Sequence, residues 1–209
     1  MYSPPYNHLD DKSALLAFLR ANNFPTLVTG SGGVLHASHL PVTVRENGSQ
    51  IVIDMHMAKN NAQWKEFRED EMSAEVMVIF TGPHAYISPR WYEDEERVPT
   101  WNYAAVHAHG VAGIISDKKA KYESQRRLIE SLDPQWLPKF DALRQEYVGR
   151  MLEGIVNFEI GVTRLETRWK LSQNRGRREM ELIAAQLEKS ADTGERALAA
   201  LTRTHYVEK

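Results

Sequence analysis

From residue 25 to about residue 115, short apolar runs alternate with turn signals at close spacing, and few folds accept that pattern. Residues 25–29, 34–44, 51–57, 75–80, 84–88, 98–101 and 104–115 each read as strands. Pro41 interrupts the second run and marks an edge or a bulge there. Ser31-Gly32-Gly33, Asn47-Gly48 and Gly82-Pro83 supply turns between runs. Strands joined so briefly pair antiparallel, because a parallel crossover needs a dozen or more residues. The expectation is an α+β chain built on an antiparallel barrel or sandwich.

Helices surround this strand region. Asp10 or Asp11 caps a helix over residues 12–22, with Leu15, Phe18 and Leu19 on its apolar face. Residues 2–6 read as extended, since Pro4 and Pro5 lack amide donors. After the third strand, Asn60 or Asn61 caps a helix carrying Trp64, Phe67 and Arg68. Asp117 caps a helix to residue 132, Pro134 and Pro138 break the chain, and a second helix covers about 139–151. Alternation of Val156, Phe158 and Ile160 predicts a strand, which residues 163–169 continue or pair with. Met180, Ile183, Ala184 and Leu187 form one face of a later helix, and Gly194 separates a terminal helix to about residue 206. The expected organisation is a barrel domain over 1–175, with inserted helices at about 117–151, and a helical extension over 176–209.

Bulk properties narrow the chemistry. The 209-residue chain has no cysteine, which removes disulfides, zinc–thiolate sites and cysteine nucleophiles. Its formal net charge of −2 argues against a globally basic nucleic-acid binder. No apolar run approaches the roughly 20 residues of a membrane span. The N-terminal MYSPPYNHLDDK lacks the basic-then-apolar order of a secretory signal, so a cytoplasmic protein is expected.

Individual constellations are mostly incomplete. His107 and His109 share one face of a strand and resemble cupin-type metal ligands, but no acid follows before Asp117, so no metal site is assigned. Ser38, Ser88 and Ser172 stand outside any nucleophile elbow. The glycines form no dinucleotide fingerprint. The run Glu93-Asp94-Glu95-Glu96 reads as solvated surface. Arg164, Arg168, Lys170, Arg175, Arg177 and Arg178 are interleaved with Glu159, Glu166, Glu179 and Glu181; this is a solvated surface or a phosphate-binding one.

Two stretches are richer. Residues 78–110 concentrate aromatics, histidines and an asparagine beyond what a structural hairpin needs, and are expected to line a pocket for a flat aromatic ligand. In HMAKNNAQW a strand gives way to a helix beside Lys59, a combination suited to a phosphate or simply to a capped surface helix.

Several segments together resemble the PaiB-type family of FMN-binding negative transcriptional regulators. They are MYSPPY, SHLPV, HMAKNNAQW, FTGPHAYISPRWY, VPTWNYAAVHAHG, GIVNFEI and KLSQNR, in order along almost the whole chain. The resemblance implies an FMN-binding split β-barrel, built as a homodimer with flavin at the subunit interface. It implies that Ser38, His39, Leu40 and Pro41 lie along the flavin. His56, Lys59 and Asn60 would lie near the ribityl chain and phosphate, and Thr100, Trp101 and Asn102 would approach the ring. Lys170, Gln173 and Arg175 would reach across the dimer. Where pyridoxamine-phosphate-oxidase-like relatives place an arginine–lysine pair on the phosphate, this chain has Lys59 and Asn60. The regulator role, and with it DNA as a partner, rests on the resemblance alone. The alternatives are a flavin-dependent oxidoreductase fed by NADH or NADPH, and a haem-binding split barrel with a histidine as axial ligand.

Overall fold

Strand pairing dominates the molecule, as the spacing of its apolar runs requires. The computed structural model describes residues 1–31, 33–67, 75–93 and 96–206, with Ser31 described for its backbone only. Gly32 of the first turn, Arg68, and Asp94 and Glu95 of the acidic run lie outside the described residues. The strands are β1 (Thr26–Ser31), β2 (Val34–His39), β3 (Val42–Asn47), β4 (Gln50–Ala58), β5 (Glu75–Ile87), β6 (Thr100–Ile115) and β7 (Ile155–Lys170). They form one sheet in the order β2-β1-β5-β6-β7-β4-β3. The chain divides into two compact units, one of residues 19–80 and 107–165, the other of residues 1–18, 81–106 and 166–209.

In the first of these units, the two edge strands of the sheet, β2 and β3, are consecutive in the chain. Only Leu40 and Pro41 separate them. Three extended steps reach roughly 11 Å, whereas six strand spacings across a flat sheet would need roughly 29 Å. The sheet therefore curls until its edges approach. The Leu40 amide donates to the Pro25 carbonyl at 3.2 Å, and that of Val42 to the Asn23 carbonyl at 2.9 Å. Thus the run 34–44 is two strands on opposite edges, and Pro41 sits in the corner between them. The β3–β4 hairpin follows its sequence signal. Its two loop residues have positive φ only at Gly48, at 60°, the pattern of a II′ turn.

β4 shows why its sequence is apolar on both sides. Ile51, Ile53, Met55 and Met57 face the barrel core with Val44, Val78, Phe80, Phe158 and Ile160. On the outer face, α2 (Lys118–Leu132) lies over a polar seam. Asp54, only 3% exposed, accepts from Arg45 Nε at 2.9 Å and Arg127 Nη2 at 3.0 Å. Asn157 Nδ2 donates to Ser124 Oγ at 3.3 Å. A buried carboxylate needs such partners, since removing them leaves an uncompensated charge.

Several expected breaks are absent. Residues 75–80 and 84–88 are not a hairpin around Gly82-Pro83 but one strand, β5. Gly82 serves contact instead of turning, because a Cβ there would sit 2.4 Å from Phe18 Cε2. Likewise the runs 98–101 and 104–115 meet in β6, which begins at Thr100, and of the two readings left open for 163–169 the structure takes continuation, as part of β7. Other elements break where continuity was expected. The segment after β4 is a five-residue 3-10 helix, Ala62–Glu66, capped by Asn61, whose side chain accepts from the Gln63 amide. Residues 139–151 are two helices, α3 (Leu137–Asp141) and α4 (Gln145–Glu153). Pro138 occupies the first turn of α3, where its missing N–H costs nothing, and Tyr122 and Arg126 hold Asp141 at its end. Residues Pro5–Asn7 form a 3-10 turn inside the N-terminal stretch expected to be extended.

The second unit carries the helices whose periodicity was clearest. Met180, Ile183, Ala184 and Leu187 are all buried on α5 (Arg177–Leu187). The helix α6 (Thr193–Thr204) starts from an Asp192 cap, with Gly194 inside its first turn rather than before it. Trp169, 2% exposed, packs its ring 4.7 Å from that of Phe18. The helix α1 (Lys12–Ala21) begins at Asp11, whose Oδ1 accepts from the Ser13 and Ala14 amides. No described helix is long and apolar enough to cross a membrane.

Candidate functional site

The barrel unit contains a cleft of ≈ 220 Å³ between β2 and the 3-10 helix Ala62–Glu66. Alternation along β2 turns His36 and Ser38 to the cleft side and His39 to the other, where its ring lies 6.3 Å from that of Phe24. Ser38 Oγ donates to Gln63 Oε1 at 2.5 Å and accepts from Asn61 Nδ2 at 2.9 Å. Gln63, 5% exposed, spends both amide hydrogens, on Thr29 Oγ1 at 3.1 Å and the His36 carbonyl at 3.2 Å. Asn61 Oδ1 accepts from the Gln63 amide at 3.1 Å. The network therefore leaves one Asn61 N–H and several acceptor lone pairs for a ligand. Across the cleft, His36 Nδ1 meets Glu66 Oε1 at 2.5 Å. Lys59 and Asn60 are exposed in the turn that leads into this helix, and the Lys59 amide donates to the Gly154 carbonyl at 2.9 Å.

Other expected site residues of this unit lie elsewhere. Leu40 is buried, 8% exposed. Pro41 and His56 line a second void with Thr43, Asp54, Ser124 and Leu128, too small for a ligand. Burial pulls the His56 imidazole below its ordinary pKa, so it is held neutral. Within one chain, Ser38 shares its cleft with Asn61, and His56 and Pro41 do not line it.

The other unit gathers a second group. Lys170 Nζ donates to Thr100 Oγ1 and to the Trp101 carbonyl at 2.8 Å. Burial, helped by the Arg168 charge, lowers its pKa. Asn102 is fully buried and exchanges hydrogen bonds with Ser172 at 2.9 and 3.2 Å. Ser172 has φ of 67°, a left-handed conformation costly for a non-glycine residue, and these bonds hold it there. Gln173 closes the same corner, accepting from the Leu171 amide at 2.8 Å and donating to the Trp169 carbonyl. Arg175 is exposed at the end of the turn. Trp101 is 48% exposed, with the rings of His84 and Tyr86 at 5.8 and 6.4 Å, so this unit presents an aromatic surface.

Comparison with known proteins identifies what such a fold holds. A family model described as "Putative FMN-binding domain" matches residues 1–164. The chain is 34% identical over 207 residues to the protease synthase and sporulation protein PAI 2 of Bacillus subtilis (strain 168), with 96% of each chain covered. The chain belongs to the PaiB-type FMN-binding family. This FMN-binding chain is also 29% identical over 230 residues to the uncharacterized protein AN0679 of Emericella nidulans, covering 91% of this chain and 92% of that one. Among solved structures it resembles the FAD and heme binding protein from Mycobacterium smegmatis, with TM-score 0.60 and 13% identity over 78% of this chain and 72% of that one. It also resembles the flavocytochrome Anf3 from Azotobacter vinelandii, with TM-score 0.59 and 15% identity over 79% and 74%. Those two likenesses concern the fold, an α+β split barrel.

The cleft suits part of FMN. The remaining N–H of Asn61 and the acceptor lone pairs of Ser38 and Gln63 are the groups that could meet the hydroxyls of a ribityl chain, and Lys59 lies in the turn before the helix rather than in the cleft lining. The volume of ≈ 220 Å³ falls short of the roughly 300–1,000 Å³ of pockets that enclose a ligand. Of the residues singled out in the sequence, Ser38 lines this cleft and Lys59 stands in the turn before the 3-10 helix. Gln63, His36 and Glu66, which also line it, were not singled out there, because their place is set by contacts between β2 and the 3-10 helix.

Proposed function

We propose that the protein is an FMN-dependent regulator of PaiB type, whose flavin lies along β2 with its ribityl chain in the Ser38–Asn61–Gln63 cleft. The observation that carries this reading is the cleft itself. A buried glutamine fixes a serine and an asparagine on two different elements, so their remaining hydrogen-bonding groups are pre-set for a polyol. Such pre-organisation lowers the entropy lost on binding. Lys59 supplies the phosphate's charge at the turn. A second copy of the chain supplies the walls that ≈ 220 Å³ lacks. When bound, FMN supplies redox chemistry or a light-absorbing reporter, and the residues here bind and orient it.

Titration of FMN into the purified protein, followed by quenching of flavin fluorescence, tests the reading. Saturable binding at micromolar or lower concentration is expected. Lys59→Ala removes a charge-assisted phosphate contact worth about 1.5–3 kcal/mol, so affinity should fall by about ten- to a hundredfold. Unchanged affinity would place the phosphate elsewhere. For the regulatory output, binding to promoter DNA should weaken steeply with added salt, as phosphate contacts require. Undetectable or salt-insensitive binding would remove direct repression.

A further inference from the structure

We propose that His36, held in place by Glu66, is a ligand-facing group of the cleft and binds the anionic phosphate end of the flavin in its protonated form. This rests on the cleft reading above and assigns a role to two residues outside the segments that carry the family resemblance. The argument is one of uncommitted atoms. Ser38 has given its proton to Gln63, and Gln63 has used both of its own. His36 commits only Nδ1, to Glu66 Oε1 at 2.5 Å, while its side chain remains 51% exposed. Its Nε2 has no partner among the described residues. Glu66 is 14% exposed at its side chain, and its second oxygen is buried without a hydrogen-bond partner. A carboxylate so placed is too enclosed to meet an anion. Its effect on one passes through the imidazole, whose Nδ1 it holds so that Nε2 is turned outward.

Among the described residues, few charges face His36. β1 presents Thr29 opposite it, and its same-side neighbours on β2 are Val34 and Ser38, all uncharged. The 3-10 helix contributes Glu66, and the preceding turn carries Lys59. Among the described residues lining the cleft, His36 and Glu66 are the only titratable ones. With a neutral imidazole the lining carries the net charge of Glu66; with an imidazolium the pair is neutral. A phosphate therefore draws a proton onto His36, and a ligand without phosphate does not.

The test measures dissociation constants for FMN and for riboflavin from about pH 6.5 to about pH 8.5, above the second phosphate pKa of about 6. For the wild-type protein, FMN affinity should fall with pH by up to about tenfold per unit where one proton is taken up. Riboflavin affinity should stay flat. In His36→Gln the FMN profile should become flat, with riboflavin affinity unchanged. Lys59→Ala should lower FMN affinity at every pH without changing the slope. A pH-independent wild-type FMN affinity overturns the assignment, as does a His36→Gln profile parallel to wild type. So does a loss of riboflavin binding equal to that of FMN. These outcomes leave flavin binding at the cleft standing, whereas wild-type protein that takes up neither flavin removes the cleft reading as well. Comparing two ligands within each variant makes the result independent of the fraction folded.

Discussion

His56 shows how a single residue departs from the role its motif suggests. It lies in the HMAKNNAQW stretch, yet the pleat of β4 turns it outward to the void under α2, away from the Ser38 cleft. There, burial lowers its pKa below the ordinary value near 6.5. The unfolded chain then binds more protons than the folded one between the lowered value and about 6.5. Stability should rise with pH through that window and be lost as pH falls below it. Melting temperature measured from about pH 7.5 down to about pH 5 should drop further for the wild-type protein than for His56→Gln. Equal slopes would show that His56 is freely solvated. The same pleat separates His39 from Ser38. Alternation was legible in the sequence, but which of two faces meets the 3-10 helix was not, because that choice is made by Gln63 reaching across to Thr29 and the His36 carbonyl.

Among elements, those set by local chemistry were legible. Asp11 and Asp117 cap the helices they were expected to cap, and the buried face of α5 is the one its 3.6-residue period marks. Elements set by distant contacts were not. Gly82-Pro83 carries the chemistry of a turn, yet β5 runs through it, since the position is defined by the Phe18 ring. Adding a methyl group there places Cβ 2.4 and 2.7 Å from two ring carbons, and 3.2 Å from the Ala104 carbonyl oxygen. Gly82→Ala should therefore destabilise the protein by about 1–3 kcal/mol in urea unfolding, the usual cost of overpacking. Phe18→Leu removes the ring and is destabilising in its own right. The double variant should be more stable than the sum of the two losses predicts, because the clash exists only when both groups are present. Strict additivity would mean that the strand accommodates the methyl group by moving away from Phe18.

At the scale of the whole molecule, the strand-forming regions followed from the apolar runs, but the number and order of the strands did not, because no local pattern says that the run 34–44 divides into β2 and β3 on opposite edges of a curled sheet. That order matters for function. It leaves β2 as an edge strand, with Val34 and Leu35 56% and 76% exposed, beside a cleft too small for a whole flavin. Exposed edges of this kind are ordinarily covered. If a second copy of the chain covers this one and completes the flavin site, cofactor binding and self-association are a single linked equilibrium. Each must then favour the other by the same factor. Sedimentation velocity across a dilution series should show the dimer persisting to lower protein concentration with saturating FMN than without it. Conversely, FMN affinity measured at fixed flavin and rising protein concentration should increase until the dimer is fully formed. Riboflavin should produce a smaller effect in proportion to its weaker binding. A monomer that binds FMN with the same affinity at every protein concentration would show that one chain encloses the cofactor, and the cleft would then have to widen by a movement of the 3-10 helix away from β2.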